Sequence, residues 1–169
     1  MTSKSSSFIQ NIISTLQKIE TAILSGLLIS MILMAVLQIA LRNLFDSGIL
    51  WGDELVRVLV LWIGLMGAMV ASRDNHHISI DVISRYLPIQ AKNLTTVFIA
   101  AFTSFICAAM AYFSFGFVVM EKAGGFTAFA GVPAWICESI IPVSFTIISV
   151  RYLLLAFSFF AKLFRQIPQ

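Results

Sequence analysis

The sequence predicts an all-α integral membrane protein: four transmembrane helices plus interfacial amphipathic helices, in one membrane domain over residues 1–169. Three observations point there. Hydrophobic residues make up 59% of the chain and charged residues only 11%, less than half of the roughly one quarter that soluble domains carry. Four apolar runs are each long enough to cross a bilayer. A chain this short cannot hide so much apolar surface, including 15 Phe and 3 Trp, in an aqueous core, so lipid must cover much of it.

Taken in order, Ser3 to Ser7 is a polar start without the features of a cleavable leader. Over 8–19, Phe8, Ile9, Ile12, Ile13, Leu16 and Ile19 share one helical face. That pattern predicts an amphipathic helix lying on the membrane surface. The first span covers 21–41, about 31 Å of helix, and ends at Arg42. Along it Gly26, Ser30, Met34, Gln38 and Arg42 form a small-to-polar row suited to protein contact. Asp46-Ser47-Gly48 is a turn signal. The second span covers 51–72, with Asp53 and Glu54 in its first turn, where the helix dipole favours acids. A second interfacial helix is expected over 77–87, stopped by Pro88. The third span covers 93–120, followed by a Gly- and Ala-rich loop to Gly131. The fourth covers 132–160, with Pro133 in its first turn.

With both termini cytoplasmic, the inner segments hold Lys4, Lys18, Arg73, Arg85, Lys92, Lys162 and Arg165, and the outer loops only Arg42 and Lys122. That bias sets the expected orientation. The net charge of +3 is spread around the apolar runs and forms no nucleic-acid patch. Cys107 and Cys137 lie in apolar runs without CxxC spacing and read as buried thiols. No nucleophile–base, HExxH or phosphate-loop pattern is present. The chain is therefore expected to have no catalytic site and to bind no cofactor or metal.

Charged residues within the spans require a reason. Asp53, Glu54 and Arg57 open the second helix at helical pairing distance. Further along come Gly64, Gly67, Ala68 and Ala71, whose small-xxx-small spacing lets another helix approach closely. Two readings stay open: a face for another subunit, or ordinary packing within the four-helix unit with an interfacial ion pair. Glu138 lies in the fourth span, four residues before Pro142, which cannot donate to the Glu138 carbonyl. It is a coupling-ion or proton site, a partner for a basic residue of another chain, or a snorkelling acid. Arg73, His77 and Asp81 form a polar row that orients the surface helix.

The run Arg42-Asn43-Leu44-Phe45, then Trp51-Gly52-Asp53-Glu54-Leu55-Val56-Arg57, Trp62, Gly67-Ala68, Ala71, Arg73, His77-Ile78 and Ile80-Asp81, resembles the small membrane subunit (DctQ-like) of tripartite ATP-independent periplasmic (TRAP) transporters. Val132-Pro133-Ala134-Trp135 and Ile141-Pro142 resemble it too. The resemblance implies a scaffolding subunit in the bacterial inner membrane, bracing a large multi-span subunit that carries substrate and sodium. A periplasmic binding protein would deliver an organic anion of dicarboxylate or sialic acid type. Arg42, Trp51, Asp53, Glu54, Arg57, Gly64, Gly67, Ala68, Ala71 and Glu138 are expected to serve subunit or helix packing. The rival reading is a small autonomous proton-coupled transporter using Glu138.

Overall fold

In a computed structural model, which describes residues 2–74 and 89–165 and the side chains of 14–73 and 94–161, the first helix is longer than the hydropathy pattern predicts. Helix α1 runs unbroken over Thr2–Phe45, about 66 Å of helix. The separate surface helix expected over 8–19 is thus continuous with the first span. No Pro or Gly stands between residues 8 and 25, so nothing interrupts the hydrogen-bond ladder. At Thr21 the hydroxyl donates back to the Gln17 carbonyl at 3.0 Å. The helix stops where Asp46 takes a positive φ of 47°, a conformation that Asp tolerates better than most residues.

Helix α2 covers Gly52–Asp74. Residues 75–88, and with them the interfacial helix expected over 77–87, lie outside the described residues. Helix α3 covers Ile89–Gly124, four residues further than the span expected to end at 120. Glu121, Lys122 and Ala123 all favour helix. Termination falls at Gly125, whose N–H reaches the Glu121 carbonyl at 3.2 Å with φ at +67°, as a glycine C-cap requires.

The expected loop contains a two-stranded hairpin, β1 Thr127–Phe129 and β2 Val132–Pro133. Its two-residue connection, Ala130-Gly131, has positive φ at both positions, the requirement of the tight turns that match strand twist. Pro133, expected within a first turn, instead sits just before the helix with extended backbone. Helix α4 is a single short turn, Ala134–Glu138, and α5 continues over Ile140–Arg165. The break at Ser139 follows from Pro142, which has no N–H for the Glu138 carbonyl and whose ring crowds it.

Four segments are long and apolar enough to cross a membrane: Ser14–Phe45, Gly52–Arg73, Leu94–Gly124 and Ala134–Ala161. The chain divides into two compact units, Met1–Val70 with Thr127–Val132, and Ala71–Phe126 with Pro133–Gln169. In the first, α1 carries a half-covered seam through Leu24, Leu27, Met31, Met34, Gln38 and Leu41, the alternating three–four spacing of packed helices. Gly26 and Ser30, two members of the polar row expected to face protein, are exposed instead.

In the second unit α3 packs along α5. Small and hydroxyl residues are prominent where the two meet: Thr96, Ala100 and Ser104 on α3 and Ser144, Ser149 and Ala156 on α5 are all buried, with Ile148 beside them. Ser104 and Ser149 clasp each other, each hydroxyl donating to the other's carbonyl, at 2.9 and 3.0 Å. Bulky residues point outward, Phe98, Phe105 and Phe113 being 72%, 69% and 71% exposed. This is the arrangement lipid favours, since only close packing, not water exclusion, holds the helices together.

Candidate subunit interface

The first turn of α2 is fixed by a side chain that sequence reasoning placed only in a generic polar row. Gln38 on α1 donates its amide to Asp53 Oδ1 at 2.8 Å and accepts the Ile49 N–H at 3.3 Å. One amide therefore ties the 46–51 turn and the start of α2 to α1. Gly52 makes this approach possible, because a Cβ there would sit 2.7 Å from Gln38 Cδ and 3.0 Å from Met34 Cε. Beside it Trp51 stacks on Phe129, with ring centroids 6.4 Å apart. The signal for Gln38 was a lone amide within an apolar run, a group that needs a partner in lipid.

Beyond that turn α2 has two different sides. Met66 and Met69 are buried. On the opposite side Asp53, Arg57, Val60, Gly64 and Ala68 share one face, and all are exposed. Ala71, in the last turn, is exposed as well. A Cβ added at Gly64 or Gly67 would meet nothing within 4 Å. Within their own unit, Gly64 and Ala68 receive no helix among the described residues. Glu54 is also exposed. Arg57 makes no ion pair with Asp53 or Glu54, and among the described residues it has no hydrogen-bond partner. Asp53 is committed to Gln38 instead.

The remaining positions lie elsewhere. Arg42 is exposed in the last turn of α1. Arg73 is half-buried in the last turn of α2 and has partners, while His77 and Asp81 fall outside the described residues. Glu138 ends α4, with its Oε2 buried and without a hydrogen-bond partner among the described residues. Arg151 donates to Ser72 Oγ at 3.3 Å, which ties α5 to the last turns of α2. Lys122 stands over the Trp135 ring, 5.1 Å from its centre, a cation–π contact between the end of α3 and α4. Cys107 and Cys137 are buried free thiols. Among the described residues no three His, Cys, Asp or Glu side chains gather as a metal ion would need.

Comparison with known proteins bears on what this surface serves. The chain is 28% identical over 92 residues to the sialic acid TRAP transporter permease protein SiaT of Haemophilus influenzae (strain 86-028NP), covering 54% of this chain and 15% of that one. It is 35% identical over 63 residues to a putative TRAP transporter small permease protein of Haemophilus influenzae (strain Rd), covering 37% of this chain and 39% of the relative. It is 25% identical over 142 residues to the ectoine TRAP transporter small permease protein TeaB of Halomonas elongata, covering 83% and 74%. The chain therefore spans less than half the length of the first two relatives. The family model of tripartite ATP-independent periplasmic transporters, DctQ component, matches residues 31–162, which includes the last three membrane-crossing segments whole and the C-terminal part of the first. With its four apolar helices and its helix face left open, this chain belongs to the DctQ component family of tripartite ATP-independent periplasmic transporters.

Proposed function

We propose that this chain is the small scaffolding subunit of a sodium-coupled, binding-protein-dependent secondary transporter, and that it braces a large permease subunit in the bacterial inner membrane. The observation that carries the reading is the family match over 31–162. The cargo is an organic anion of dicarboxylate or sialic acid type, in keeping with a relative named for sialic acid. Sodium binds the large subunit, and a periplasmic protein delivers the substrate. Both termini are cytoplasmic, as the distribution of Lys and Arg favours. Four helices without paired discontinuous helices at the midplane are a poor vehicle for a substrate path.

Reconstitution tests this. The isolated chain in liposomes gives no uptake of sialic acid or C4-dicarboxylates. Adding the large subunit, the binding protein and an inward sodium gradient restores it. One observation favours a second reading: the partnerless Oε2 of Glu138 beside the α4–α5 break is where a proton carrier would sit. Uptake by the isolated chain, abolished by Glu138→Gln, would establish that reading and dismiss the first.

A further inference from the structure

We infer that the joint between α3 and α4 is a pH-responsive contact: Lys122 stays over the Trp135 ring while Glu138 holds its proton, and leaves the ring for the Glu138 carboxylate once that proton is lost. Such a contact exchanges its proton on one side of the membrane and carries it nowhere, so it is compatible with either transport reading.

Four side chains from two elements meet at this joint. The end of α3 brings Glu121, half-buried, and Lys122, exposed. Helix α4 brings Trp135 and Glu138, three residues apart and therefore neighbours on one helical surface. Ala134 donates its N–H to the Phe126 carbonyl at 2.9 Å, which holds the start of α4 to the end of α3. Lys122 Nζ lies 5.1 Å from the centre of the Trp135 ring, and Glu121 is near enough for its charge to act on Glu138. Cys137 is the other titratable group of α4. The next described ones are distant: Tyr112 on α3 stands nine residues before Glu121, and Arg151 and Tyr152 on α5 begin thirteen residues after Glu138, about 14 and 20 Å along their helices.

Glu138 Oε2 is buried and has no hydrogen-bond partner among the described residues. An ionised carboxylate is costly to keep in that condition, and a neutral one much less so. Lys122, the cation at this joint, meanwhile lies on an aromatic face, a weak contact at an exposed site. That arrangement suits a neutral Glu138. Ionisation reverses the preference, because the carboxylate then meets the like charge of Glu121 and requires a donor. Lysine is a flexible stem with three donors, and Trp135, on which it rests, is one helical turn from Glu138. The Ala134 backbone bond is untouched by the exchange, so only side chains re-pair.

The test uses the full chain in lipid nanodiscs with Trp51→Phe and Trp62→Phe, which leaves Trp135 as the only tryptophan. Its fluorescence, followed from about pH 4 to about pH 9 across and beyond the carboxylate range, should show one transition as the ammonium leaves the ring. Glu138→Gln should abolish that transition. Lys122→Met should abolish it too, while the infrared carboxyl band of Glu138, identified by its loss in Glu138→Gln, still titrates. Glu121→Gln should move the midpoint and keep the transition. A flat titration of the parent chain would overturn the inference, as would a transition that persists in Glu138→Gln or in Lys122→Met. Should Glu138→Gln fail to fold, the fluorescence of Lys122→Met decides alone: loss of the transition supports the contact, and persistence removes it.

Discussion

Two glycines show how much a single position depends on its neighbours. At Gly52 a methyl group would press on the Gln38 amide and displace it from both Asp53 and the Ile49 N–H. Losing those bonds costs about 1–3 kcal/mol, against a helix-propensity gain of at most ~1 kcal/mol from alanine. Crowding wins, so Gly52→Ala should lower thermal stability in detergent by about 1 kcal/mol. Gly26 lies mid-helix with nothing within 4 Å of an added Cβ, so Gly26→Ala should stabilise by up to ~1 kcal/mol. Matched unfolding curves of the two variants check the sign of each. Both residues are equally visible in the sequence. What separates them is the Gln38 side chain, brought to Gly52 by the turn at Asp46.

Among the elements, the α3–α5 pair carries the strongest contact, and hydroxyls and small side chains make it. Ser104 and Ser149 bond reciprocally across the seam, and Ser144 is fully buried with its own hydroxyl returned to the Ile140 carbonyl. Interhelical hydrogen bonds in membranes contribute about 0.6 kcal/mol on average and up to ~1.7 kcal/mol. Ser104→Ala and Ser149→Ala should therefore each cost an amount in that range, nearly additively in the double variant, because each hydroxyl bonds a backbone carbonyl that substitution of the other serine leaves in place. Ser104→Leu should be worse, costing roughly 1–3 kcal/mol by overpacking a seam with no room. No loss of stability in either single variant would mean that the clasp is not formed in lipid. The seam was not legible as a seam, because Thr96, Ser104, Ser144 and Ser149 read as scattered polar residues in apolar runs. The α4–α5 break was better signalled, since Pro142 removes one donor wherever the helix lies.

For the whole molecule, the distribution of Lys and Arg predicts that both termini are cytoplasmic. With both termini cytoplasmic, Ser47 lies outside and Asn75 inside. A cysteine at Ser47, in an otherwise cysteine-free chain, should react with an impermeant thiol reagent in intact cells. A cysteine at Asn75 should react only after lysis. The reverse pattern would invert the orientation, and labelling at both positions would contradict the number of crossings. The same orientation sets which side of the membrane the end of α2 with Asp53, Glu54 and Arg57 faces. That end should face the periplasm.

The number and placement of the spans were determined by the sequence alone, because hydropathy and a ~30 Å hydrocarbon thickness leave few alternatives. Its motifs around Trp51–Arg57 and Arg73 pointed correctly to the family. Helix ends were less accessible. The continuous α1, the extension of α3 to Gly124 and the hairpin depend on backbone angles at Asp46, Gly125, Ala130 and Gly131, which local composition only biases. The role of the small residues on α2 lay wholly beyond sequence. Gly64 and Ala68 have the same spacing whether they meet a helix of their own chain or of another. Only the tertiary structure shows Met66 and Met69 buried while Arg57, Gly64 and Ala68 are exposed, because burial depends on what packs against a face and spacing alone does not report that.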